Sequence, residues 1–149
     1  MLKTLLERRG YEVFTFSRAA ACTECLLENG QNCADILLID VTMPGLSGIE
    51  FLDAQRRVGC QLSNIALMSG SWAPEDWAKC RRWGYLTLVK PFRMEAIADW
   101  LDACVKRISP DRVLSDCFLR QSEQQGVKPD QPDSVCTLSD LPRHLDHFS

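Results

Sequence analysis

The sequence lacks any long hydrophobic run. Within its 149 residues no uninterrupted apolar stretch approaches the roughly 18 to 20 residues that are needed to cross a bilayer. The N-terminus, MLKTLLERRG, also lacks the apolar core and the small-residue cleavage site of a secretory signal. From these two absences we expect no membrane partner and a cytoplasmic location.

Positive charge is scarce as well. Lys and Arg together number 17 against 20 Asp and Glu, and the formal net charge is −3. A domain that binds nucleic acid through its overall charge normally carries a clear positive excess, so we expect no nucleic-acid partner. The apolar fraction of 46% is high enough to build a core, which excludes a wholly disordered chain.

Eight cysteines are present, but their spacing is not typical of a metal site or of a disulfide framework. Cys22 and Cys25 form one C-x-x-C within a helical pattern, and no second pair follows at zinc-finger spacing. Cys136 lies near His144 and His147, yet no pattern fixes the geometry of these three. The missing signal and the chain length oppose a secreted disulfide scaffold. We therefore interpret the cysteines as small packing residues.

Short apolar segments alternate with amphipathic segments between residues 2 and 108. Strands that are separated by helices usually pair in parallel, with the helices as crossovers, so the alternation predicts an α/β fold with a doubly wound parallel sheet. The nearly continuous apolar character of the strands agrees, because a parallel sheet is covered on both faces. The predicted helices are 2–9, 18–29, 49–58, 73–83 and 91–108, and the predicted strands are 11–16, 35–40, 64–70 and 86–89.

Three polar residues lie where predicted strands end: Asp40, Ser69 and Lys90. In open α/β sheets, sites form at the carboxyl ends of the strands. A carboxylate, a hydroxyl and a compact cation at one edge suit an anion of phosphoryl size, with Asp40 as the covalent acceptor. Lys90 would neutralise the developing charge, and Ser69 would donate a hydrogen bond to a phosphoryl oxygen.

The motif D-x-x-MPG-x-x-G at residues 40–48, followed by Ser69-Gly70 and Lys90-Pro91-Phe92, resembles the receiver domain of two-component response regulators. The resemblance covers residues 2–108 and implies a flavodoxin-like fold and a signalling module, not an enzyme. It makes Asp40 the phosphoacceptor, with Ser69 and Lys90 as the hydroxyl and lysine beside it. It also implies a cis Lys90–Pro91 peptide bond.

Further partners follow from the same resemblance. The phosphoryl group would come from a sensor histidine kinase or a histidine phosphotransfer protein, and the output would be contact with a downstream protein. Mg²⁺ would be held by Asp40 and by the backbone carbonyl of Thr42. A haloacid-dehalogenase-type phosphatase also begins with an apolar strand and Asp, but it needs a second Asp at the position of Thr42.

Receiver domains begin with a strand that ends in an acidic pair, whereas this chain begins at the helix after it. In the order 2-1-3-4-5 that strand lies between the strands at 11–16 and 35–40. We therefore expect an N-terminally truncated, incomplete receiver domain at residues 1–108. Losing about five buried residues would cost on the order of 10 kcal/mol, against a typical total stability of ~5–15 kcal/mol.

The missing acids weaken the expected Mg²⁺ site, so we expect phosphoryl acceptance to be weak or absent. The alternative is a degenerate pseudo-receiver that binds proteins without phosphorylation.

A second departure from the family pattern is Thr87, where the family usually carries an aromatic ring; Tyr85 lies two residues earlier. We expect altered coupling between the site and the surface.

Residues 109–149 form the third departure from the family pattern. Ser, Asp, Gln and Pro dominate this stretch, which predicts a low-complexity, flexible C-terminal tail. Only VLSDCFLRQ, residues 113–121, has the pattern of one short helix. Nothing in the tail is typical of a helix-turn-helix output domain or of an effector enzyme.

Overall fold

The structure, a computed structural model, describes residues 2–16, 34–43, 45–57, 59–112 and 135–140, and of residues 135–140 it describes the backbone alone. The predicted helices at 18–29 and 113–121 lie outside these ranges. The helices are α1 (Leu2–Arg8), α2 (Gly48–Arg57), α3 (Pro74–Trp83) and α4 (Glu95–Arg107), and the strands are β1 (Tyr11–Phe16), β2 (Ile36–Asp40), β3 (Ile65–Ser69), β4 (Leu86–Val89) and β5 (Val135–Asp140).

The five strands form one sheet in the order β1-β5-β2-β3-β4. Strands β2, β3 and β4 run parallel, with Leu38 beside Ala66 and Ala66 beside Leu86. This confirms the predicted α/β fold with a parallel sheet. Because the parallel strands share one direction, their carboxyl ends meet at one edge of the sheet, which we name the rim (Asp40, Ser69 and Lys90, the last directly after β4).

Helices cover both faces of the sheet. Consecutive residues of a strand point to opposite faces, so β2 and β3 contribute to two separate core clusters. On one face, Ile36, Leu38, Ala66, Met68 and Leu88 pack against Leu6 of α1 and against Ile97, Leu101 and Cys104 of α4. On the other face, Leu37, Ile39, Ile65 and Leu67 pack against Ile49, Phe51 and Leu52 of α2 and against Cys80 of α3.

Two buried thiols sit on opposite faces of the sheet. Cys80 and Cys104 are free, and neither side chain is accessible to solvent. Burial raises the pKa of each thiol from 9.0 to about 11, with the neighbouring Asp76 adding to the effect at Cys80. Both thiols are therefore protonated at neutral pH and pack as small apolar side chains, which agrees with the interpretation of the cysteines as packing residues.

Strand β5 was not predicted. The sequence assigned residues 109–149 to a flexible tail, and this is wrong for Val135–Asp140, which pair antiparallel with β1 on one side and with β2 on the other. The strand occupies the position that the resemblance gives to the first strand of a receiver domain, so the described sheet has no gap there. Composition did not reveal it because a central strand is held by backbone hydrogen bonds on both sides, and these do not depend on residue type.

Helix α4 begins later than predicted. The pattern placed its start at residue 91, whereas the helix runs from Glu95 to Arg107. The preceding residues form a turn in which the N–H of Ala96 donates to the carbonyl of Arg93 at 3.0 Å. In the described part of the chain, no helix has the length and apolar character needed to span a membrane.

Candidate functional site

The rim is assembled by backbone hydrogen bonds between neighbouring strands. The N–H of Val41 donates to the carbonyl of Met68 at 2.8 Å and ties the end of β2 to β3. The N–H of Lys90 donates to the carbonyl of Ser69 at 2.9 Å and ties the residue after β4 to the end of β3. The three predicted site residues therefore lie on adjacent strand ends, although many residues separate them along the chain.

Asp40 and Lys90 form an ion pair at the rim. The ammonium Nζ of Lys90 contacts Oδ2 of Asp40, and the N–H of Thr42 donates to Oδ1 at 3.0 Å. The lysine side chain is exposed, while the carboxylate is mostly covered. The peptide bond between Lys90 and Pro91 is cis, as the resemblance predicts. The exposed ammonium of Lys90 can contact a small anion that approaches the Asp40 carboxylate.

Ser69 lies at the rim, but its hydroxyl forms hydrogen bonds with the backbone of the loop that follows it. The side chain is buried, its Oγ donates to the carbonyl of Ser71 at 2.9 Å, and the N–H of Ser71 donates back to Oγ at 3.1 Å. The structure thus brings Asp40 and Lys90 into contact and leaves the hydroxyl of Ser69 bonded to Ser71. A hydrogen bond from Ser69 to a bound anion would require this hydroxyl to turn away from Ser71.

Gly48 explains the last position of the D-x-x-MPG-x-x-G motif. It lies so close to the end of β2 that a Cβ atom there would be 2.4 Å from the carbonyl oxygen of Asp40. Its N–H donates to the carbonyl of Val41 at 3.0 Å. Helix α2 therefore starts directly against the backbone of the acid, and only glycine allows this approach. Gly70, in contrast, borders open space.

Trp72 was not predicted to have a role at the rim. Its indole Nε1–H donates to the carbonyl of Leu88 at 3.0 Å, and its ring packs edge-on against Trp77 with the centroids 5.8 Å apart. The loop that follows Ser69 is thereby fixed to β4, the strand that leads into Lys90. Nothing in the local pattern around Trp72 distinguishes this role from ordinary packing.

Tyr85 lies directly before β4 and not at the rim. Its ring packs against Trp83 with the centroids 5.8 Å apart, and Arg56 donates to its hydroxyl oxygen at 3.2 Å. Thr87 is partly buried in the middle of the strand. No aromatic side chain therefore occupies the strand position where the family usually carries one, and the altered coupling expected from Thr87 stays a prediction.

The described residues do not assemble a complete Mg²⁺ site. Both oxygens of Asp40 already have partners, in Thr42 and Lys90. No group of three or more His, Cys, Asp or Glu that could hold a metal occurs within the described ranges. Mg²⁺ prefers about six oxygen ligands, and one engaged carboxylate is a poor match for it. The expectation that Asp40 and the Thr42 carbonyl bind Mg²⁺ stays a prediction.

The fold and the rim together define an α/β protein with an acid–lysine pair at the carboxyl edge of a parallel sheet. The family model of the response regulator receiver domain matches residues 1–102, and the chain belongs to this family. Transcriptional activator protein PfeR of Pseudomonas aeruginosa is 30% identical over 111 residues, which cover 71% of this chain and 33% of that protein. The chain thus spans about a third of the length of this curated relative.

Family membership assigns the chain to two-component, phosphorelay signalling. Receiver domains in general are signalling modules that interact with kinases or phosphotransfer proteins, and they are not enzymes in the usual sense.

Proposed function

We propose that Asp40 accepts a phosphoryl group from a phosphohistidine on a sensor histidine kinase or a histidine phosphotransfer protein. The observation that carries this proposal is the ion pair at the rim, where the ammonium of Lys90 contacts the Asp40 carboxylate. Membership of the receiver family suggests phosphoryl transfer as the reaction, and the ion pair suggests Asp40 and Lys90 as the residues that take part in it.

In the proposed reaction, a carboxylate oxygen of Asp40 attacks phosphorus while the bond from phosphorus to the histidine nitrogen breaks. The product is an acyl phosphate, and the histidine, which carries a proton on its other ring nitrogen, leaves as neutral imidazole. Lys90 shifts from the carboxylate toward a phosphoryl oxygen, where it offsets the added negative charge. Ser69 adds a hydrogen bond only after its hydroxyl leaves Ser71.

The expected Mg²⁺ site is the least complete part of the rim. Asp40 and the carbonyl of Thr42 would be the ligands of Mg²⁺, which neutralises charge in phosphoryl transfer. Because the described rim offers a single carboxylate, we propose that the metal binds weakly and that only a minor fraction of the chain is phosphorylated at equilibrium.

The proposed output is protein–protein contact in the cytoplasm. Trp77 on α3 and Val89 on β4 are exposed apolar side chains, and the contact surface we propose is the β4 edge of the sheet with the helices α3 and α4 beside it. The relative PfeR is a transcriptional activator by name, but this chain spans about a third of its length. With a net charge of −3, we propose that this chain signals through a downstream protein and does not bind nucleic acid itself.

A pseudo-receiver that binds proteins without phosphorylation is the second candidate. It is favoured by the engagement of both Asp40 oxygens and of the Ser69 hydroxyl in contacts within the chain. In this case the ion pair at the rim would serve the fold alone.

Phosphoryl labelling of the full chain separates the two candidates. The chain is incubated with a small phosphodonor and MgCl₂, and intact mass is measured for the unaltered protein, for Asp40→Asn and for a control, Asp53→Asn, on α2. We expect partial labelling that is lost in Asp40→Asn and kept in Asp53→Asn. Complete labelling would contradict the weak metal site, and no labelling, with partner binding unchanged in Asp40→Asn, would favour the pseudo-receiver.

A further inference from the structure

Strand β5 lies in the middle of the sheet although it comes from the end of the described chain. It pairs antiparallel with β1 over six residues, from Tyr11 beside Asp140 to Phe16 beside Val135. On its other side it pairs antiparallel with β2 over four residues, from Ile36 beside Leu138 to Ile39 beside Val135. Within the described residues β1 has no other strand neighbour. We name the space between β1 and β2 the slot.

The covalent tether of β5 is long. The last described residue before it is Arg112, whose guanidinium is fixed to the carboxylate of Asp35 at 3.1 and 2.7 Å, next to the amino end of β2. The 22 residues 113–134 connect Arg112 to Val135. Such a length can reach ~75 Å when extended, whereas a six-residue strand spans about 20 Å. The tether therefore does not force β5 into the slot, and the observed placement of β5 is its pairing with β1 and β2.

We propose that the slot is a strand-binding site, and that residues 135–140 of the same chain occupy it as an intramolecular ligand that can be released and replaced. The chemistry it recognises is that of an extended peptide running antiparallel to β2, held by main-chain hydrogen bonds on both sides. This inference does not depend on phosphorylation of Asp40.

The tether sets how strongly β5 competes for the slot. A connection of 22 residues holds the strand at an effective concentration on the order of 1 mM. A free peptide at micromolar concentration therefore cannot displace an intact β5. It can bind when β5 is damaged, because the slot is then open. A strand that is bound as a ligand should also open locally, without unfolding of the whole sheet.

Hydrogen exchange of the unaltered full chain is the first test. We expect the amides of residues 135–140 to exchange at least tenfold more slowly than those of an unstructured peptide, and at least tenfold faster than those of the interior strand β3. Protection equal to that of β3 would overturn the proposal, because β5 would then open only with the whole fold. Absence of protection would overturn it too, because the slot would then be empty.

Peptide binding by a damaged full chain is the second test. Thr137→Pro removes a backbone donor in the middle of β5, and Thr137→Ser is the matched control. The probe is a labelled synthetic peptide with the sequence of residues 133–142, and a second peptide carries the same proline. We expect the Thr137→Pro chain to bind the native peptide, one per chain, at least tenfold more tightly than the Thr137→Ser chain does, and to bind the proline peptide at least tenfold more weakly.

If the Thr137→Pro chain does not fold by itself, the proposal can still be tested by adding the peptides. In that case the native peptide should restore the helical circular dichroism signal, and the proline peptide should not. Failure of the native peptide to bind or to restore the fold, or equal effects of the two peptides, would overturn the proposal.

Light scattering of the unaltered chain is the third test, and it should give a monomer mass from micromolar to near-millimolar concentration. A dimer that forms in the unaltered chain and is lost in the Thr137→Pro chain would mean that a second copy donates the strand, which would overturn the intramolecular assignment.

Discussion

Asp35 and Asp40 lie at opposite ends of the same strand, β2, and each pairs with a cation from a distant part of the chain. At the amino end of β2, Asp35 accepts two hydrogen bonds from the guanidinium of Arg112, and the two side chains are 3% and 24% exposed. At the carboxyl end, Asp40 meets the single ammonium of Lys90, and these side chains are 14% and 40% exposed. The two pairs share a strand and differ in burial and in geometry.

The difference indicates which ion pair serves the fold and which serves a ligand. A buried carboxylate held by a two-point guanidinium contact has no easy replacement for its partner, because the alternative is an unpaired buried charge. An exposed ammonium that makes one contact can exchange that contact for a bound anion at little cost. The amino end is further fixed by Asn64, whose amide donates to the carbonyl of Asp35 at 3.1 Å and whose oxygen accepts from Arg107.

The largest effect is expected at the amino end. Arg112→Leu leaves the Asp35 carboxylate buried without its guanidinium, and we expect the free energy of unfolding to fall by about 3–5 kcal/mol. Urea denaturation, followed by circular dichroism, measures the change. Lys106→Leu, which removes an exposed cation in the last turn of α4, is the control and should cost no more than about 1 kcal/mol.

The double variant Asp35→Leu with Arg112→Leu sharpens this result. Because it removes the buried charge together with its partner, it should be more stable than Arg112→Leu alone. If Arg112→Leu changes stability no more than Lys106→Leu does, the contrast between the two ends of β2 is wrong.

A smaller effect is expected from the backbone at the carboxyl end. Gly48→Ala places a Cβ atom 2.4 Å from the carbonyl oxygen of Asp40, and the required shift should lower the free energy of unfolding by about 1–3 kcal/mol. Gly70→Ala, which adds a methyl group to open space at the same rim, is the control and should change stability by less than about 0.5 kcal/mol. Equal effects of the two alanines would show that the backbone under Asp40 can yield. In that case the backbone at the carboxyl end of β2 would be deformable, whereas the amino end would remain fixed by the ion pair of Asp35 and Arg112.

The sequence predicted the parts of this molecule that depend on local pattern. Alternating helices and strands predicted β2, β3 and β4 as parallel neighbours, and the polar residues at their ends predicted the rim. The contact between Asp35 and Arg112 could not be predicted, because 77 residues separate them and neither lies in a motif. The position of β5 was missed for a related reason. Its pairing depends on two strands far away in the chain, and its own residues carry no strong apolar pattern.

The orientation of the rim side chains could not be predicted from the sequence either. Asp40, Ser69 and Lys90 were predicted as one group, and the structure places all three on neighbouring strand ends. The hydroxyl of Ser69, however, bonds to Ser71, and this depends on the conformation of a loop that Trp72 fixes to β4. Residue type and spacing predict which side chains share an edge, whereas competition for hydrogen bonds within the loop decides where each one points.

The smallest effect on stability is expected from Lys90→Gln. This variant tests whether the ion pair of Asp40 and Lys90 serves phosphoryl transfer and not the fold. Because the ammonium is exposed and makes one contact, its loss should change the free energy of unfolding by no more than about 1 kcal/mol. Phosphoryl labelling of Asp40 should nevertheless fall at least tenfold, since the cation that offsets the developing charge is gone. Lys79→Gln, which removes another partly exposed lysine that pairs with Asp53 at 3.8 Å, should leave both quantities unchanged. A loss of about 3 kcal/mol or more in Lys90→Gln would place the rim pair in the same structural class as Asp35 and Arg112.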